Sequence, residues 1–243
     1  VFAAGTTGKK AIGLCADDPA FQIEGQTVYG TDDVYYTGAS QGGIFGATLM
    51  GISTDIERAA LNVPGVSYPL MQNRSTNFDD FELIYSAWYE DRIDREFYWP
   101  VMGHLWDQVD PITYVPHLLA DPLPGTPEKK ILYHVGLNDA QVCNLSSEVA
   151  ARTMGIPLME PSVKEVWGLQ AAPSGAYDGS VMQIWDCGAD PVPLGNEPPP
   201  SNCAHGWVRG RASCADATDA FFHPTGQVEN FCDGDCGPDE PSP

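Results

Sequence analysis

Gly38-Ala39-Ser40-Gln41-Gly42 follows the pattern Gly-x-Ser-x-Gly. A serine hydroxyl is a poor nucleophile until a base takes its proton, and the base needs an acid to fix its tautomer. Small residues two before and two after the serine let the backbone pass through a strained strand-to-helix corner, which exposes the hydroxyl. The flanks fit such a corner. Val34-Tyr35-Tyr36-Thr37 is a β-branched and aromatic run that predicts a buried strand, and Ile44 to Ile52 is an apolar run that predicts a helix.

An acid for this serine belongs in the turn after a later strand. Asp139 meets that requirement, because Lys130 to Gly136 reads as a strand and Leu137-Asn138-Asp139 as the turn behind it. Asp107 and Asp110 have no strand before them, and Asp186 ends the last strand, one element too late. The base belongs in the loop after that last strand, ahead of a closing helix. His205 in Cys203-Ala204-His205-Gly206-Trp207 fits. His223 is the alternative, but it falls past the closing helix; His134 lies inside a strand, and His104 and His117 lie in the aromatic middle of the chain.

Tyr35 to Gly46 resembles the nucleophile corner of secreted or envelope α/β-hydrolases of bacteria. His134 to Val142 and Ala217 to Gly226 are similar too, and the likeness spans most of residues 20 to 236. The resemblance implies a mostly parallel sheet flanked by helices, with a Ser40, Asp139, His205 triad. It also implies an oxyanion donor at the Gln41 N–H and a second donor from a loop after an early strand. The family places several strands before the serine, whereas only 39 residues precede Ser40. The opening Val-Phe-Ala-Ala-Gly-Thr-Thr-Gly, with no initiator Met and no signal peptide, reads as the interior of a longer polypeptide. The expectation is therefore an α/β-hydrolase whose first strands and oxyanion loop come from another polypeptide, since a bare central strand would be an unprotected edge.

The elements that must position these residues divide the chain into four stretches. Residues 1–66 carry a helix-like segment at 9 to 16, the strand, the corner and a following strand at Arg58 to Val63. Residues 67–127 are aromatic, helix-leaning and proline-punctuated, which predicts a cap inserted between strands, its aromatics forming the cap's own core. Residues 128–236 hold the acid turn, a helix at Ser146 to Met154, the last strand at Ser180 to Asp186, the histidine loop and a closing helix at Ala215 to Phe222. Residues 237–243 read as a disordered tail.

With 33 acidic against 12 basic residues the formal net charge is −21, which repels nucleic-acid phosphates and anionic headgroups. No apolar run approaches the roughly 20 residues that span a bilayer. Seven cysteines suggest an oxidising compartment, secreted or periplasmic, with Cys232–Cys236 and Cys203–Cys214 as candidate disulfides. A zinc site would want a second Cys/His pair, and the Asp233-Gly234-Asp235 loop lacks an EF-hand spacing, so no metal and no cofactor is expected. The leading expectation is a serine hydrolase acting on a small-molecule or lipid-like carboxylic ester. Amidase, peptidase and acyltransferase chemistry share the same machinery, and a non-catalytic extracellular assembly protein is the competing class.

Overall fold

The computed structural model describes residues 17–28 and 33–239. The helix expected at 9 to 16 and the last residues of the tail, 240–243, lie outside them. A short antiparallel hairpin, β1 (Gln22–Ile23) and β2 (Gln26–Thr27), comes first. The main sheet is parallel and four-stranded, built in chain order from β3 (Tyr36–Ala39), β4 (Arg58–Asn62), β5 (Lys130–Gly136) and β6 (Val181–Trp185).

Parallel neighbours need a crossover between them. Helix α1 (Gln41–Ile52) supplies the first. The second is the long aromatic segment with α2 (Tyr68–Met71), α3 (Asp79–Trp88) and α4 (Arg92–Trp106). The third contains α5 (Asn144–Met154), and α6 (Ala204–Trp207) and α7 (Ala212–Phe221) follow β6. Alternate strand residues point to opposite faces, and both faces are covered. Ala59, Leu61, Ile131, Tyr133 and Met182 pack with Met50 of α1 and Met154 of α5, whereas Ala60, Leu132 and Val181 pack with Ala217 and Phe221 of α7. Strands buried on two sides read as continuous apolar runs, which is why β4, β5 and β6 are legible in the sequence. This is an α/β fold with helices on both sides of a parallel sheet. No helix among the described residues is long and apolar enough to cross a membrane.

The two edges of the sheet differ. Along β6, Met182 bridges to Leu158 and Trp185 to Cys236, so flanking chain covers that edge. Along β3 the only strand neighbour among the described residues is β4, and Thr37 is exposed. The aromatic segment also departs from expectation. Tyr85 and Trp99 form a small core with Phe78 and Tyr98, but Phe81, Trp88 and Phe97 are largely exposed.

Candidate active site

Ser40 stands between β3 and α1 with φ 57° and ψ −125°, a backbone conformation that L-residues avoid. Its N–H donates to the Asn62 carbonyl at the end of β4, and its carbonyl accepts from Ile44 N–H to open the helix. The glycines on either side have steric reasons. A Cβ at Gly38 would collide with the Gly42 carbonyl, and one at Gly43 would come within 2.8 Å of the Asn62 carbonyl oxygen. The Tyr36 hydroxyl donates to the Gly42 carbonyl at 2.6 Å and ties the first turn of α1 to the strand. Helix α1 therefore begins at Gln41, earlier than its apolar run, because close packing of the corner outweighs the poor helix propensity of Gly42 and Gly43. Gln41 is the first residue of that helix. First-turn amides have no intrahelical acceptor and lie at the positive end of the helix dipole, so the Gln41 N–H is a ready donor to a developing oxyanion.

Asp139 and His205 are brought together. His205 Nδ1 lies 2.7 Å from Asp139 Oδ2, and both side chains are buried. The other carboxylate oxygen of Asp139 accepts from Gln141 N–H at 2.8 Å and Val142 N–H at 3.1 Å. In a neutral imidazole a carboxylate acceptor at Nδ1 favours the Nδ1–H tautomer and leaves the ring's lone pair on Nε2. Nε2 is buried and has no hydrogen-bond partner. The Asp139–His205 link is thus made, while the Ser40–His205 hydrogen bond expected to complete a chain of three is not.

Residues that sequence reasoning did not single out hold the two loops together. Asn138 adopts a left-handed φ of 59°. Its N–H donates to Asn144 Oδ1, its side chain to the Ala189 carbonyl, and its own carbonyl accepts from Asn202 Nδ2 at 2.7 Å. Asn144 also donates to the Gly136 carbonyl. Asparagine tolerates left-handed turns and offers donors and acceptors at once, but Asn138, Asn144 and Asn202 are too scattered along the chain to form a local signal. Gly136 is required because a Cβ there would meet the Ala204 carbonyl oxygen at 2.6 Å, which lays the histidine loop over the end of β5.

The disulfides correct one expectation. Cys232 pairs with Cys236, but Cys203 pairs with Cys187, and Cys214 is a free, buried thiol. Cys214 belongs to α7 and faces the sheet, where its Sγ lies 3.2 Å from His134 Nδ1. Cys187 instead follows β6 directly, so its bond to Cys203 fastens the histidine loop to the strand it leaves. The Cys214–His134 contact is not a second nucleophile. Burial pushes the thiol up to about 12 and the imidazole down to about 3, leaving both neutral.

The rival acids and bases sit elsewhere. Asp110 accepts from the backbone N–H groups of Ser67, Tyr68 and Ile112, which makes it a loop brace. Asp107 is exposed beside His104. Asp186 accepts from Gly188 N–H, and His223 is exposed beyond α7. Among the described residues no group of three or more His, Cys, Asp or Glu could hold a metal ion. Searches against protein-family models, curated proteins and solved structures find no match to the chain.

Proposed function

We infer that the protein is a serine hydrolase of the α/β-hydrolase type that cleaves carboxylic esters through an acyl-enzyme intermediate. The observation that carries this reading is the buried Asp139–His205 pair with an unpartnered Nε2, at the same ends of the strands as the strained Ser40. Ser40 attacks the ester carbonyl as His205 takes its proton through Nε2. Asp139 fixes the tautomer and stabilises the imidazolium that forms, and the Gln41 N–H stabilises the oxyanion. His205 then protonates the leaving alkoxide, and water repeats the sequence to free the acid. An N-terminal polypeptide pairing along β3, whose only strand neighbour among the described residues is β4, would add strands and the second oxyanion donor. Disulfides suit an extracellular or periplasmic location.

The test is labelling of the native protein with a fluorophosphonate, followed by mass mapping of the modified residue. Covalent label on Ser40, absent in Ser40→Ala and lost in His205→Gln, is the expected result. No label on folded wild type would overturn the reading.

A further inference from the structure

The outward face of α4 is apolar where a surface helix should be polar. Ile93, Phe97, Val101 and Leu105 lie four residues apart on one stripe and are 67%, 69%, 61% and 71% exposed. The opposite stripe, with Trp99 buried and Met102 and Trp106 half-buried, already packs inward. A helix with one apolar stripe packed inward and a second one exposed has a face left over for a neighbour, although Arg92, Arg95 and Glu96 lie between the two stripes. The stripe runs the whole length of α4, about 22 Å at the rise of an α-helix.

The order of residues on that face specifies the neighbour. The outward stripe reads Ile93, Asp94, Phe97, Val101, His104, Leu105. Rotating the helix by a two-fold axis between Phe97 and Val101 sets Ile93 against Leu105 of a second helix and Phe97 against Val101. The same rotation sets Asp94 against His104. Apolar residues meet apolar ones, and the Asp94 carboxylate meets the His104 imidazole, an N–H donor, twice. Self-complementarity of this kind is what an isologous interface requires. The other charged groups at the ends of the helix, Arg92 and Asp107, fall at its margins, where Asp107 lies 3.4 Å from His104 Nδ1 in its own chain.

We propose that α4 is a homodimer interface, in which two copies of this chain pair antiparallel through Ile93, Phe97, Val101 and Leu105, with Asp94 facing His104 across the axis. A neutral lipid surface would also cover apolar side chains, but it has no use for the paired order of acidic and basic positions. A heterologous protein would not need the stripe to be symmetric about its centre. The interface is independent of the hydrolase reading, because none of its residues belongs to the Ser40 site.

Sedimentation of the purified protein across a concentration series from about 0.1 to 100 µM tests this, with Phe97→Asp and Val101→Glu as disrupting variants and circular dichroism to check folding. The wild type is expected to sediment as a dimer with both variants at least 100-fold weaker in self-association; because these side chains are exposed, the variants keep the wild-type spectrum. Asp94→Lys or His104→Glu alone should weaken the dimer about tenfold, and the two together should restore it. A wild type that stays monomeric throughout overturns the proposal, whether or not it binds phosphatidylcholine vesicles. A dimer indifferent to Phe97→Asp and Val101→Glu, or charge reversals that simply add, overturns it as well.

Discussion

The two ends of the parallel sheet are built to different rules. At the N-terminal ends of the strands, polar groups are matched to one another. Lys130 Nζ reaches both oxygens of Asp178, Arg58 joins the same carboxylate at 3.3 Å, and Ser180 Oγ accepts from Ile131 N–H. Buried Lys129 donates to the carbonyls of Ser53 and Ile56, where the chain leaves α1. At the C-terminal ends the backbone is strained at Ser40 and left-handed at Asn138, and a buried imidazole nitrogen stands without a partner. Bonding capacity is spent mostly on joining the strands at one end, where only Arg58 Nη1 of this cluster is left buried and unpartnered, and is held in reserve at the other. Open α/β sheets bind their ligands outside the carboxyl ends of the strands, where reserved capacity can meet substrate. The difference also teaches that burial alone does not make a base. His134 and His205 are both buried, yet only His205 faces a carboxylate.

The largest expected effect tests that last distinction. Asp139→Asn keeps the shape of the acid loop but removes the charge that selects the Nδ1–H tautomer. Its ester hydrolysis should fall by about 10⁴-fold, as should that of His205→Gln. Rates of p-nitrophenyl ester hydrolysis, read alongside thermal denaturation, check this. Loss of activity with an unchanged melting temperature fits a reserved site. A variant that melts much earlier with its per-molecule activity intact would place Asp139 among the structural groups of the other end.

His134 should respond in the opposite way. Burial holds its folded-state value down at about 3, against an ordinary 6.5 for the unfolded chain. Between those values the unfolded state binds one more proton than the folded state, so stability falls as the pH is lowered from about 6.5 towards 3. The slope is about 1.4 kcal/mol per pH unit for this single group. His134→Gln removes that contribution and flattens the acid limb of stability against pH in urea titrations. Activity per folded molecule at pH 8 should stay near wild type. An unchanged acid limb would mean that His134 is charged in the core.

How much of this contrast could be read beforehand follows from the same physics. Strands β4, β5 and β6 announce themselves because burial on both faces demands mostly apolar runs, interrupted only by His134 and Gln183 within them and by Arg58, Asn62 and Lys130 at their ends, and β5 spans Lys130–Gly136 as its sequence suggested. Strand β3 was less legible. Its ladder with β4 runs on to Ala39, through residues that look like a turn. The meeting of Asp139 and His205 was legible because each follows a strand. Their support was not, since Asn138, Asn144 and Asn202 act through contacts up to 64 residues apart that no local pattern encodes. The disulfide failed for a similar reason. Spacing favoured Cys203–Cys214, but the orientation of α7 turns Cys214 into the sheet, and orientation is decided by packing.

The histidine loop ties its precision to one covalent link, so the next effect is intermediate. Cys187 and Cys203 are 16 residues apart in sequence, and closing a loop of that length restricts the unfolded chain by about 3 kcal/mol. Cys187→Ser with Cys203→Ser should lower stability by up to that amount. It should also slow fluorophosphonate labelling of Ser40 more than the loss of folded protein explains, because His205 loses its anchor. The matching change at Cys232 and Cys236 should leave labelling of the folded fraction unaltered. Equal effects of the two double variants on labelling would remove the disulfide from the positioning of the base.

The smallest effect belongs to the matched end. Contact with Lys130, then Arg58, holds the Asp178 carboxyl below its usual range, so its contribution is present at neutral pH and fades only as the pH falls through that lowered value. Asp178 is half exposed, and water screens its attraction to Lys130. Asp178→Asn should therefore cost less than about 1 kcal/mol, most of it from the buried Arg58, whose guanidinium also lies over Phe221 at 5.2 Å. Arg58→Met separates the two contributions in chemical denaturation. If Arg58→Met is far more costly than Asp178→Asn, the stacking and burial of the guanidinium matter more than its ion pair. The N-terminal end would then be held chiefly by packing, with charge only finishing the surface. Should the two cost the same, the shared carboxylate itself is the joint between β4, β5 and the segment leading into β6.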